Sequence, residues 1–327
     1  MKFKTPLILF FITILTISKS YASSNYRVDG HAPIGVKRDH IHHKGEIMTS
    51  YRLSYAKMKG LRSGDDNVTI ADVLNEYNMA PKQMIMKMHM LGIMYGITDQ
   101  FTISAMGSFI EKEMDLINPM NIESRRETDV IGDSKINLSY GFLEKDYGRS
   151  QLNLALSLPT GDINKKHNNT RLAYPMQIGS GSYELRPGIS YSGYEDNFSY
   201  GGQVNGVFRL NSNDNGYKLG DSYNITSWIA RKLSNSFSIS TRLDYNKNEA
   251  IEGFDSTLNP NMMPGANNSI HDRERLDLLF GVNFMMPSGF LKGNRLAVEF
   301  GKPIYERVDG PLLKNNYKVT IGWQNTF

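Results

Sequence analysis

From Glu46 to the C-terminus the chain alternates apolar and polar residues at period two. Gln151 to Leu158 reads QLNLALSL, with Leu152, Leu154, Leu156 and Leu158 opposed by Gln151, Asn153, Ala155 and Ser157. Phe237, Ile239, Thr241, Leu243 and Tyr245 alternate with Ser238, Ser240, Arg242, Asp244 and Asn246 in the same way. Successive side chains of a strand point to opposite faces, so each segment predicts a strand with one apolar and one polar side. Twelve such strands are expected: 46–59, 84–97, 100–114, 133–143, 150–158, 183–194, 198–210, 217–233, 237–247, 273–285, 295–306 and 316–327. Most are about 10 to 15 residues long, above the five or six usual in soluble sheets and enough to cross a bilayer at a tilt. No helical period competes with the alternation after the N-terminal segment.

The connections alternate as well. Residues 98–99, 145–149, 195–197, 234–236 and 287–294 are short or fairly short, whereas 60–83, 115–132, 159–182, 248–272 and 307–315 are mostly long and polar; only 211–216 breaks the rhythm. Short periplasmic turns and longer outer loops characterise transmembrane barrels with an even strand count. Aromatic residues recur on the apolar face near strand ends (Tyr140, Phe142, Tyr191, Phe198, Tyr200, Tyr245, Trp323), where interfacial girdles belong. The fold class expected is all-β: a transmembrane antiparallel β-barrel of about twelve strands. Its rival is a soluble sandwich with the apolar faces packed inward.

The N-terminus supports export. Lys2 and Lys4 precede an apolar run from Pro6 to Ile17, and Ser20-Tyr21-Ala22 offers small residues where a signal peptidase cuts. Three domains follow: a signal peptide at 1–22, a periplasmic His-containing segment at 23–45, and an outer-membrane barrel at 46–327. The signal carries three of the chain's 37 basic residues and none of its 33 acids, so the mature charge is near +1. A nucleic-acid partner loses its main support. With no cysteine, disulfides and thiolate sites are excluded. The strand Tyr317, Val319, Ile321, Trp323 runs to a terminal Phe327 and resembles the signal read by the bacterial outer-membrane assembly machinery. Partners expected are therefore outer-membrane lipid, that machinery and a small-molecule solute.

Two stretches, GDSKINLSYGF (Gly132 to Phe142) and LALSLPTGD (Leu154 to Asp162), resemble the outer-membrane family named for the MetA-pathway of phenol degradation. The resemblance implies a small-solute transport barrel. HAPIGVKRDHIHHKGE (His31 to Glu46) and MKMHMLGIMYGITD (Met86 to Asp99) resemble a narrower branch of transporters, in which Met-Gly is usual where this chain has Lys37-Arg38. Independently of that likeness, Pro159-Thr160-Gly161-Asp162 is a turn that ends a strand.

Candidate chemistry lies on the polar faces. Arg52, Lys135, Glu184, Arg186, Arg209, Arg242, Asp244, Arg275 and Asp277, with Met48 and Met106, are the expected pore-lining residues. Basic groups outnumber acids there, which favours small organic anions or aromatic solutes. Internal pairs such as Arg242 with Glu184 or Asp277 are an alternative use for the same charges. Soft-metal chemistry is the second reading: eleven of 17 methionines lie between Met48 and Met120, and His31, His40, His42 and His43, with Asp39 alongside, precede the first strand as a candidate ligand cluster. Thioethers suit Cu(I) and imidazole suits Cu or Zn, so His40, His42, His43, Met84, Met86, Met88 and Met90 are the candidate metal ligands. Cu or Zn is thus the only cofactor suggested. The methionine ladder is expected to face the lumen, although an apolar wall or lipid contact would explain it equally well. A structural or adhesive barrel is the third reading. No enzyme is expected. The chain lacks a glycine-rich phosphate loop and an HExxH motif, and it lacks the Asn-His-x-Ser-Asn-Gly stretch of the outer-membrane phospholipase A family. His271-Asp272 is an acid–base pair by adjacency alone.

Overall fold

A computed structural model describes residues 27–145, 147–286, 288–289 and 291–327. The expected signal peptide and Ser23 to Tyr26 lie outside the described residues. Numbered in chain order, the wall strands are β1 (Ile47–Gly64), β2 (Ala80–Gly96), β3 (Phe101–Ile117), β4 (Ser134–Lys145), β5 (Gly148–Leu158), β6 (Glu184–Tyr194), β7 (Phe198–Arg209), β8 (Ser222–Lys232), β9 (Phe237–Asn248), β10 (Arg273–Met285) and β11 (Arg295–Thr326). Each pairs antiparallel with its sequence neighbour, and β11 closes the ring on β1.

Eleven elements make twelve crossings. A closed, wholly antiparallel ring needs an even count, and β11 supplies it by folding back on itself. Residues 295–308 pair with β10 and residues 312–326 with β1. Asn315 donates through its backbone N–H and Nδ2 to the Glu306 carboxylate, and Phe300 stacks on Tyr317, across the two arms. The loop expected at 307–315 is therefore a tight reversal within continuous strand.

The alternation faces as a membrane barrel requires. Leu152, Leu154 and Leu156 are exposed on the outer wall, and Gln151, Asn153 and Ser157 are buried within. Ile93, Ile189, Val204, Ile225, Ile229, Leu243, Val282, Val298 and Ile321 continue the apolar belt round the barrel. A soluble sandwich would bury these residues, so lipid is the environment that their exposure fits. No helix among the described residues is long and apolar enough to cross a membrane, and strands do the crossing.

Besides the loop expected at 115–132, where Glu123–Ile131 is a strand paired with residues 109–117 of β3, two local expectations are corrected. The loop expected at 60–83 contains a strand pair at Asp66–Val68 and a helix α1 (Ile70–Glu76), although no helical period stood out. Thr69 caps α1 by accepting from the Asp72 N–H, and Asp72 accepts from the Thr69 N–H in return. That reciprocal cap and the burial of Val73 hold a turn too short to show as periodicity. The second correction concerns the break at 211–216. Strand β8 begins at Ser222 rather than Tyr217, because Tyr217 and Lys218 leave the wall and pair with Glu252 and Gly253. The connection then spans 210–221 and joins the long set.

Those long loops close over one end. Val73 of the first loop, Leu172, Ala173 and Met176 of the 159–183 loop, and Met263 and Ala266 of the 249–272 loop pack with Leu61, Met84, Met114, Leu116 and Leu313 from the wall. The long connections thus form an apolar cap across that end.

Candidate functional site

The N-terminal segment decides the geometry of the lumen. Expected as a periplasmic tether, it starts at the short-turn rim, where Arg27 donates to the carbonyl oxygen of Glu195 at 2.6 Å, and then enters the barrel. Irregular backbone at membrane depth must have its polar groups satisfied by protein. Here the inner faces of the strands do so. Ser199 Oγ donates to the Asp29 carbonyl (2.7 Å), Arg295 to that of Ala32 (2.7 Å), Gln203 to that of Lys37 (2.9 Å) and Gln151 to that of Arg38 (2.7 Å). Thr102 Oγ1 accepts from the His42 N–H at 2.8 Å, and the Gly45 N–H reaches the Gly96 carbonyl at 2.9 Å as the chain leaves to begin β1. Residues 27–45 thus form a plug in the half of the lumen nearest the short turns, with Lys37-Arg38 at its inner tip.

The wall meets the plug closely at Gly35. A Cβ there would lie 2.2 Å from Glu299 Oε2 and 2.4 Å from Arg242 Nη2, so only a glycine passes this point without displacing a buried ion pair. Arg242 binds Glu299 bidentately, Nε to Oε1 and Nη2 to Oε2, both at 2.8 Å, and reaches Asp244 at 2.9 Å.

Above the plug tip and below the loop cap lies a cavity of about 890 Å³. Met58 of β1, Met84, Met86, Met88 and Met90 of β2, and Met106 and Met114 of β3 supply one wall. The ladder faces inward, as expected. Charged residues occupy the rest. Arg52, Lys135, Glu184, Arg186, Arg209, Arg242, Asp244, Arg275 and Asp277 all border the cavity. Met48 does not. It is buried lower down, where Gln324 Nε2 approaches its sulfur at 3.9 Å.

The internal pairings differ from those expected. Glu184 is held by Arg186 (2.8 Å) and Arg209 (3.1 Å), and Asp277 by Arg275 (3.0 Å), whereas Arg242 is committed to Glu299 and Asp244. Glu184, Asp244 and Asp277 each take a basic group next to them in the sheet, whereas Glu299 meets Arg242 across β10. Six lining cations, Lys37, Arg38, Arg52, Lys112, Lys135 and Lys318, make no ion pair among the described residues. Of the lining carboxylates only Asp133 and Glu249 lack a basic partner. Asp133 accepts from the Gly161 and Ser180 N–H groups and from Ser180 Oγ. The cavity is therefore net cationic.

The candidate metal ligands separate. His43 is exposed and turns toward Asp99 at the rim, 3.6 Å away. His40 and His42 are buried in the plug with their Nε2 atoms 3.2 Å apart. The methionine ladder forms the cavity wall instead, and Met84 belongs to the apolar cap. His31 of the same tract joins His40 with Nδ1 atoms 3.3 Å apart. The sequence signal for the plug was the row of neutral polar residues on one face of β5 and β7, Gln151, Asn153 and Gln203, too long and too uncharged to need only water.

At the mouth, burial behind the cap, and then the Arg273 cation, lower the His271 pKa from its usual value to about 4. Tyr217 of the same loops is raised to about 12, chiefly by burial.

No family profile matches the chain, and no curated protein matches it. Among solved structures, an outer membrane channel from Pseudomonas putida F1 superposes with a TM-score of 0.62 at 11% identity, over 89% of this chain and 98% of that one. The fold is shared with that outer-membrane channel. The KdgM porin (TM-score 0.42, 12% identity, 86% of this chain and 99% of that one) and the CymD monoaromatic hydrocarbon channel (0.40, 8%, 88% and 89%) overlap too loosely to carry further argument. The narrower phenol-degradation likeness of the sequence motifs thus rests on those motifs alone.

Proposed function

We propose that this chain is a non-catalytic outer-membrane barrel for the passive passage of small organic anions, aromatic carboxylates or phenolates being the class that fits best. The observation that supports this reading is the mixed lining of the cavity: a thioether wall on β1 to β3 with six cations, outside any ion pair among the described residues, set among and beside it. Arg52 is next to Met90, Lys112 next to Met86 and Lys135 next to Met106 in the sheet. A polarisable apolar wall suits a ring, and the opposite charge suits its carboxylate. A cation as cargo would meet Lys37 backed by Lys135, Arg52, Arg186 and Lys318, which repel it.

Passage requires the plug to shift, because its chain fills the short-turn half of the lumen. The test is reconstitution in planar bilayers under a salt gradient, for the native chain and a variant lacking residues 28–44. Anion-favouring reversal potentials that fall in Lys135→Gln are expected. Cation preference, or absence of conductance in both proteins, would reject the reading.

A further inference from the structure

The structure assigns a transition-metal site to the plug: His31 Nδ1, His40 Nδ1 and an Asp39 carboxylate oxygen hold a tetrahedral divalent ion of the zinc class, with water as the fourth ligand. The three donor groups lie together at the two ends of the excursion 31–40. His31 Nδ1 is 3.3 Å from His40 Nδ1 and 3.7 Å from Asp39 Oδ2, and His40 Nδ1 is 2.9 Å from Asp39 Oδ1. Ligands about 2.0 to 2.1 Å from a tetrahedral zinc are about 3.3 Å from one another. The two imidazole nitrogens already stand at that edge length, and a few tenths of an ångström of movement by Asp39 brings one of its oxygens to it. The Ala32 N–H holds Asp39 Oδ2 at 2.9 Å and fixes the carboxylate.

Hydrogen-bond accounting supports the same assignment. Asp39, His40, His42 and Glu46 stand in a row with three gaps: 2.9 Å, 3.2 Å between the Nε2 atoms, and 3.4 Å from His42 Nδ1 to Glu46 Oε2. Both ends are acceptors. Two neutral imidazoles bring only two N–H groups, so one gap stays unfilled. A metal on His40 Nδ1 removes the shortfall. His40 then donates from Nε2 to His42 Nε2, and His42 donates from Nδ1 to Glu46. That is the outer-partner arrangement that fixes the tautomer and direction of a metal-bound histidine. His42 and Glu46 are positioning residues here, not ligands.

Charge is mixed around the site. Arg295 acts on His31 and Arg149 on His40, and both oppose a cation; Asp39 and Glu46 favour it. The His31 side chain is 15% exposed, which leaves an approach for the ion. A bound metal would fasten residue 31 to residue 40 and so lock the loop whose tip is Lys37-Arg38.

The experiment is equilibrium titration of the purified, detergent-held chain with Zn²⁺ against a chromophoric chelator, with Co²⁺ absorption as a second readout that needs no variant. One Zn²⁺ per chain is expected, together with the intense visible bands of tetrahedral Co²⁺. Affinity should fall at least about tenfold in His31→Ala and Asp39→Asn, and about 10- to 100-fold in His42→Ala through the outer partner. His43→Ala should bind as the native chain does. No stoichiometric binding by the native chain, octahedral Co²⁺ bands, or equal affinity in His31→Ala would overturn the assignment. Binding is read without conductance, so failure here leaves the passage reading standing, and the reverse holds.

Discussion

Asp133 Oδ1 accepts the backbone N–H of Gly161 at 2.9 Å, joining the base of β4 to the turn that ends β5. The other carboxylate oxygen takes the Ser180 N–H and hydroxyl, so one side chain ties both ends of the 159–183 loop. Gly161 has no room for a side chain, since a Cβ would lie 2.6 Å from the Gly179 Cα. The two motifs that suggested a family therefore meet in space as a loop anchor. Asp133→Ala should loosen this loop by about 2 kcal/mol, the scale of losing charged hydrogen bonds of this kind. Trypsin added from the loop side should then cut at Lys165, Lys166 or Arg171 faster than in the native chain, while the wall stays folded. Unchanged cleavage would mean that the apolar cap alone holds the loop.

Gly35 passes the Arg242–Glu299 pair with no space to spare, which makes the plug sensitive at one position. Gly35→Leu cannot be absorbed by a small shift, because both facing groups are buried and bonded to each other. Breaking such a pair costs about 3–5 kcal/mol, more than moving a loop held by single hydrogen bonds. The plug should yield. Larger single-channel conductance than native in planar bilayers is the expected outcome; native conductance would place the flow resistance elsewhere.

Acid should loosen the cap through His271. Its pKa is about 4 in the closed cap against about 6.5 when free, so the open form binds more protons between those values. The stability contributed by the neutral ring is complete above about pH 6.5 and is lost as pH falls toward 4. The ring is packed at right angles to Tyr174 with centroids 5.7 Å apart, out of water and beside Arg273, so burial and the neighbouring cation both oppose a second positive charge. Amide exchange at Ser269 and Ile270 should quicken over that window, and His271→Asn should flatten the dependence. An equal response in the variant would assign it to other groups.

The wall was legible because period two is a backbone property: each leucine of Leu152 to Leu156 faces lipid whatever its partner. Which face of Met84 to Met90 turns inward was not fixed by the same rule, because Lys87 and His89 share the opposite face with Leu91 and Ile93. The plug was not legible. His31 to Gly45 has no period, and its place depends on long-range bonds such as Gln203 to Lys37 that leave no local trace. The grouping of the histidines was hidden by the same cause. His40 and His42 alternate on one side of the plug chain, whereas His43 turns to the rim, and His31 returns only because the chain doubles back. The actual partners of Arg242 could not be read either, since Glu299 lies 57 residues away and meets it across β10.

Lys37 and Arg38 stand at the inner tip of the plug, and the backbone there is unusual. Arg38 has φ of +59°, in the left-handed region where a residue with a Cβ is disfavoured by about 1 kcal/mol. Its guanidinium reaches Asn205 Oδ1 at 3.1 Å and the Arg186 carbonyl at 3.2 Å, while Gln151 and Gln203 hold its own carbonyl in place. Arg38→Gly therefore keeps the backbone path and the hydrogen bonds to the residue 38 carbonyl, and removes the cation with its bonds to Asn205 and Arg186. Paired with Lys37→Met, it takes two of the six unpaired charges from the cavity floor and extends the thioether wall. The double variant should keep native heat resistance on gels and lose anion preference in the reversal potential. An unchanged reversal potential in a folded double variant would place selectivity at Arg52, Lys135 and Lys318 of the wall, not at the plug tip.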